Sequence, residues 1–272
     1  MKTLGKYLLL IAFLILIVNR GAYAEVPPEI KKILKRGELV VAMYDQDIPP
    51  YFENKNKTLS GLDVDLCEAL AKSLGVKLKI KLIPKADQYS DILKQLDDKN
   101  VDLVAAALYP SLDRSKEVRF TESYDTVDFL FLLNRKTLAK ENLKVQKIQD
   151  LNKKSVNLTT FTTSIFDPIQ TLLPMASITR SEKREVVHGA CVKDGNHGCY
   201  IDELDYLRWK KKDPAVGLLL DKLKTSYKRP VSLAVHWKNQ HLSYWVDQAI
   251  KSYKSDGTLD AIFKKHNWRL VE

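Results

Sequence analysis

Two side chains of opposite charge, far apart in the chain, stand out for the chemistry they could do together. Arg114 lies in DLVAAALYPSLDRSKEVRFTESY, where the apolar run Leu103 to Leu108 meets Tyr109, Pro110 and a Ser-Leu-Asp-Arg turn. A guanidinium fixed on such a turn is a planar fork that can grip a carboxylate bidentately, and it stays charged at any relevant pH. It is either that clamp or a solvated charge pairing Asp113 or Glu117. Asp202 ends the short β-like run in GNHGCYIDELDYL. A carboxylate there can pair an ammonium, each charge-assisted bond contributing roughly 1.5–3 kcal/mol. It can equally cap the helix that follows, and Asp205 is its rival for a ligand. An anion receptor and a cation receptor at fixed separation are what a buried zwitterion such as a free amino acid requires.

The elements around these residues have a recognisable grammar. GELVVAMYD is a short β-rich run, and SGLDVDLCEALAKSLGV a helix with Asp63 near its start and Gly75 closing it. KLKIKLI alternates like a half-exposed strand, QYSDILKQLDDKN reads as a helix, and VDLVAAAL as a buried strand. This alternation predicts an α/β domain with a largely parallel sheet. The pattern restarts at KSVNL and runs through SIFDPIQTLL, SITRSEKREVV, GCYID and ELDYLRWKKK. A last apolar strand, PVSLAVHW, leads into the helical region HLSYWVDQAIKSYKSDGTLDAIFKKHNW. Ligands in such sheets sit beyond the carboxyl ends of strands, and Asp45, Tyr109 and Asp202 all lie near predicted strand ends.

Residues 1–24 read as a cleaved secretory leader. Lys2 and Lys6 precede an apolar core from Leu8 to Val18, and Ala22, Tyr23 and Ala24 form a small-x-small cleavage site. Eleven apolar residues fall short of the roughly 20 that span a bilayer, so a periplasmic location is expected. Arg20 leaves an uncleaved anchor as the alternative. Removing the leader lowers the formal charge from +10 to +7. Acids and bases alternate in KKILKRGE, EKRE and RWKKKD, with no arginine-rich arm, which indicates a solvated basic face rather than a nucleic-acid surface. Of the three cysteines, Cys191 and Cys199 flank the turn VKDGNHG and are expected to form a small disulfide. Cys67 reads as a core thiol. A metal site with His188 and His197 is the sharper alternative, but Cys-x7-Cys is not a zinc spacing, and neither metal nor cofactor is expected.

RGELVVAMYDQDIPPYF, SGLDVDLCEALAKSLGV, VDLVAAALYPSLDRSKEVRFTESY and SDGTLDAIFKKHNW, in that order and spacing, resemble bacterial extracellular solute-binding proteins of the polar amino-acid uptake type, family 3. The resemblance spans nearly all of the chain after the leader and is strongest before residue 135 and after 229. It implies a periplasmic-binding-protein-like fold of type II, with two α/β lobes joined by two crossover strands. Lobe one would hold residues 25–133 and 231–272, and lobe two residues 134–230. It further implies a monomer that closes on a small polar or cationic amino acid and is read by an inner-membrane ABC permease, closure being driven by differential affinity for two states.

The resemblance also assigns residues. Arg114 would hold the ligand carboxylate, aided by backbone N–H groups near Tyr109, and Asp202 its ammonium. Thr162 and Thr163, in LTTFTTS, would add a hydroxyl and N–H groups, with a plain β-turn as the alternative. Asp45 would read the side chain, and Tyr51 and Tyr89 would form an aromatic platform or belong to the core. Four positions depart from the family pattern. Tyr109 and Ala107 replace small hydroxyl residues, Phe161 a glycine, and Ile48 an aromatic, so the pocket is expected to be narrowed or re-aimed.

Two other classes use similar architecture. A periplasmic dehydratase would need a general acid, with His188, His197 and Glu203 as candidates, but no paired constellation is legible and Ser-His-Asp, HExxH, GxxxxGK and GxGxxG patterns are absent. A sensor presenting its closed form to a receptor differs only in its partner. The expectation is a binding protein rather than an enzyme.

Overall fold

The computed structural model describes residues 25–84, 90–98, 100–162 and 168–268. Residues 1–24, expected to be a leader, and Tyr89 and Thr163 lie outside these. Helix α1 (Pro28–Arg36) starts at a proline, whose missing N–H costs nothing in a first turn, and ends at Gly37 with φ 70°. There follow β1 (Glu38–Tyr44), the hairpin strands β2 (Glu53–Lys55) and β3 (Thr58–Ser60), and α2 (Leu62–Ser73). Strands β4 (Lys77–Ile83), β5 (Leu103–Leu108) and β6 (Val118–Phe120) come next. β1 pairs β4 and β5 in parallel, and β5 is buried along its whole length, as a strand covered on both faces must be. β4 is the outer strand and exposes Lys77 and Lys79, charges that discourage pairing with another chain.

β7 (Asp125–Asn134) carries the chain away from this sheet. It is followed by α3 (Arg135–Lys140), β8 (Asn157–Phe161), β9 (Ser177–Ser181), α4 (Arg184–Val192), β10 (Gly198–Asp202) and α5 (Glu203–Lys212). The 17-residue β11 (Leu220–His236) brings the chain back, and α6 (Gln240–Ser255) and α7 (Thr258–Lys265) finish it. The strands are ordered β4-β1-β5-β11-β7-β10-β8-β9, with β6 also on β11. Within this ladder there are separate apolar cores. One gathers α1, α2, β1, β5 and the terminal helices and includes Val127 and Val231. The others lie on β7, β8 and β10, and begin at Phe129 and Leu130. The break between cores therefore falls along the paired strands β7 and β11, where the register of β11 slips between Lys224 and Lys228. The fold is α/β and two-lobed, with β7 and β11 as the crossovers.

Cys191 and Cys199 are disulfide-bonded, with Cα atoms 5.1 Å apart, and tie α4 to β10. Cys67 is a free thiol in the core, and burial pushes its pKa well up. His197 is 1% exposed, accepts from the Asn157 amide at Nδ1 (3.1 Å) and meets Glu141 at Nε2 (3.0 Å), so its ring serves the loop that the disulfide closes.

Candidate functional site

A cavity of about 610 Å³ opens at the carboxyl ends of β1, β5, β8, β9 and β10, where ligands of parallel α/β sheets sit. Lobe one contributes Tyr44, Gln46, Ile48, Ala107 and Tyr109. Facing them are Phe161 and Thr162 at the end of β8, the run Glu182 to Glu185 after β9, and Asp202, Leu204 and Arg208 from α5 and its cap.

The charged side of this cavity is organised around two aspartates. Asp202 is the N-cap of α5 and accepts the Asp205 amide at Oδ1 (2.8 Å). Burial, and then the neighbouring charge of Asp205, push the Asp202 carboxyl above its ordinary value, so a cation at this place would be strongly favoured. Asp205 is already matched. His188 Nε2 lies 2.6 Å from its Oδ2, Arg184 Nε 2.5 Å from Oδ1, and Arg208 Nη2 3.5 Å from the same oxygen. Burial alone would raise Asp205, but the hydrogen bond from His188 and the two guanidinium charges hold it below the usual range. His188 in turn stacks on Trp209 with ring centres 4.1 Å apart, and Phe161 meets it edge-on. Of the two rivals, Asp205 is thus internally neutralised and Asp202 stands at the cavity wall.

Arg114 is half-buried and its Nη1 donates to the carbonyl of Tyr109 (2.9 Å); it sits against the backbone of a lining residue without lining the cavity itself. Ala107, Tyr109 and Thr162 are all on the wall. The Thr162 amide, however, donates to Ser181 (2.9 Å), which leaves the hydroxyl to face a ligand. Asp45 is exposed and accepts from Asn54 (2.9 Å), while Gln46 is on the wall. The Asp45 amide still donates to Ile83 (2.8 Å), but the strand ends at Tyr44, and of the residues that follow it is Gln46, not Asp45, that lines the cavity. Tyr51 is 0% exposed, bonds Asp125 through its hydroxyl and meets Tyr124 and Trp268 edge-on at 6.2 Å, so its ring belongs to the core. Arg184 and Arg208 were hidden in charge runs that read as solvated faces. The spacing of Asp205 and Arg208, one helical turn apart, was the available signal.

The sequence profile of bacterial extracellular solute-binding proteins, family 3, matches residues 39–268. The chain belongs to that family. Among relatives of this family 3 protein, the arginine-binding extracellular protein ArtP of Bacillus subtilis is 28% identical over 112 residues, which are 41% of this chain and 40% of ArtP. The membrane-bound lytic murein transglycosylase F of Alcanivorax borkumensis is 32% identical over 130 residues, 48% of this chain and 26% of the transglycosylase. The matched stretches thus span less than half the length of either relative. Among solved structures, the ancestral cationic amino acid solute-binding protein AncCDT-1 has a TM-score of 0.62 and 26% identity, covering 87% of this chain and 98% of its own. A second structure of AncCDT-1 is described as a precursor of cyclohexadienyl dehydratase.

Proposed function

We propose that this protein is the substrate-binding component of an ABC uptake system and captures a small polar or cationic amino acid by closing its two lobes. The observation that carries the reading is the placement of Asp202, a half-buried carboxylate with a raised pKa, on lobe two, opposite a lobe-one wall that holds no carboxylate among the described residues. An ammonium there would favour the charged form of Asp202, and Arg114, bound to the Tyr109 backbone, would take the carboxylate. The rings of Tyr44 and Tyr109 and the amide of Gln46 would then meet the ligand side chain. Amino-acid binding by ArtP and AncCDT-1 supports the same class. The protein would act outside the cytoplasm and hand its ligand to a membrane permease.

The test is a thermal-shift panel of the common amino acids, with arginine, lysine, glutamine and cystine included. About 1 mM of a ligand with a Kd of about 10 µM adds roughly 2.7 kcal/mol of stability. That is a rise of about 5–10 °C for a protein of this size. Asp202→Asn, which keeps a good helix cap but removes the charge, and Arg114→Ala should each abolish the rise while folding normally. The precursor relationship of AncCDT-1 favours one competing reading, a dehydratase. Consumption of a prephenate-like acid, or a panel with no stabilising member, would overturn binding as the function.

A further inference from the structure

The lobe-one wall is shaped by a carboxylate that does not line the cavity. β5 and β11 pair Val104 with Ala234 and Leu108 with Ser232, so three residues of β5 oppose one of β11. This bulge carries Ala107 to φ 47°, a left-handed backbone that a non-glycine residue adopts only when its surroundings impose it. A buried amide lifted out of its ladder needs another acceptor. That acceptor is Asp63, whose Oδ2 takes the Ala107 N–H at 3.0 Å while Oδ1 takes the Tyr124 hydroxyl. Asp63 is 0% exposed and sits in the first turn of α2, where the helix amides favour an anion. Gly61 makes this placement possible. At φ 134° it lets α2 begin against the Tyr51 carbonyl, which a Cβ would approach to 2.1 Å.

We propose that Asp63 is a positioning residue of the binding site: by clamping the Ala107 amide it holds the β5 bulge in the conformation that presents Ala107 and Tyr109 to the ligand. The role rests on the binding function proposed above, but the geometry it invokes exists without ligand. Burial, opposed by the bonds from Tyr124 and Ala107, pushes the Asp63 carboxyl up to about 6. The titratable groups facing it are Tyr124, Asp125 and Tyr51 in the same buried cluster, with Cys67 further along α2; the charge of Asp125 adds to the upward push. The clamp is therefore held by a carboxylate that changes charge within a mildly acidic range.

Amide NMR of the ligand-free protein tests the clamp directly. Between roughly pH 5 and 8 the Ala107 amide resonance should titrate with the Asp63 carboxyl, and Asp63→Asn should flatten that response while keeping the amide protected, because an asparagine oxygen can still accept. Asp63→Ala should cost the Ala107 amide at least about tenfold in exchange protection and move the Tyr109 resonances with it. If Ala107 ignores both pH and substitution, the proposal is wrong, whatever the fate of Asp63→Ala as a folded protein. For any amino acid that stabilises the wild type, Asp63→Ala should weaken Kd about tenfold or more, and Asp63→Asn at neutral pH less than about threefold. Unchanged affinity in Asp63→Ala would also overturn it. Should no amino acid bind the wild type, the proposed function fails, and the amide measurements still decide the role of Asp63.

Discussion

Asp63 also offers a stability measurement whose sign is fixed by its environment. Its folded-state value of about 6 lies above the ordinary 3.8, so folding takes up a proton between the two. The contribution to stability is present at low pH and is lost as pH rises through 6. From about pH 7.5 to about pH 5 the wild type should gain roughly 1.4 kcal/mol from this group, and Asp63→Asn should lack that gain. Denaturant titrations of the two proteins at both pH values give the difference, and parallel pH trends would rule out the raised value. The sequence showed Asp63 as a helix-start acid, but nothing in it linked residue 63 to residue 107. That contact depends on a strand bulge, and bulges leave no periodic trace. Asp202, by contrast, was readable because a carboxylate at a strand end and helix start has few possible roles, and the structure places it at the cap and at the cavity wall together.

Elements were more readable than side chains. Apolar β5 is buried throughout and β4 alternates as its pattern implies from Lys77 to Ile80, although beyond it Lys81 is half-buried and Leu82 exposed. The facing of Asp45, and the choice between platform and core for Tyr51, depend on where the strand stops alternating and on how residues 48–52 turn back, which short irregular segments do not encode. The cysteine pair was readable from its turn and its expected oxidising compartment. Its energetic role follows from loop closure. Cys191 and Cys199 are eight residues apart, and closing such a loop contributes about 2.5 kcal/mol. The double replacement Cys191→Ala, Cys199→Ala should therefore lose about 2–3 kcal/mol in denaturant unfolding, and thiol reductant should affect only the wild type. Equal stability of wild type and double variant would mean that the bridge constrains nothing the fold does not already constrain.

At the scale of the molecule, α5 touches both the cavity and the lobe-one core. Asp202 caps its start, and the same helix reaches over lobe one. Leu204, 3% exposed, is part of the lobe-one core although its helix follows the lobe-two strand β10, Leu207 packs against that core, and Lys211 pairs with Glu53 of β2 at 2.6 Å. The ion pair is on the surface and is worth roughly 0.2–1 kcal/mol, too little to set the lobe equilibrium alone. Burying a leucine contributes about 1.5–3 kcal/mol, and this one is buried against lobe-one side chains. Leu204 is therefore the residue whose loss should open the protein. Leu204→Ala should enlarge the radius of gyration of the ligand-free protein in small-angle X-ray scattering, and should weaken apparent ligand affinity about tenfold by shrinking the binding-competent population. Saturating ligand should return the radius to the wild-type value, because the anchors proposed at Asp202 and Arg114 are untouched. A variant as compact as wild type without ligand would show that the lobes are held together by something other than the apolar face of α5.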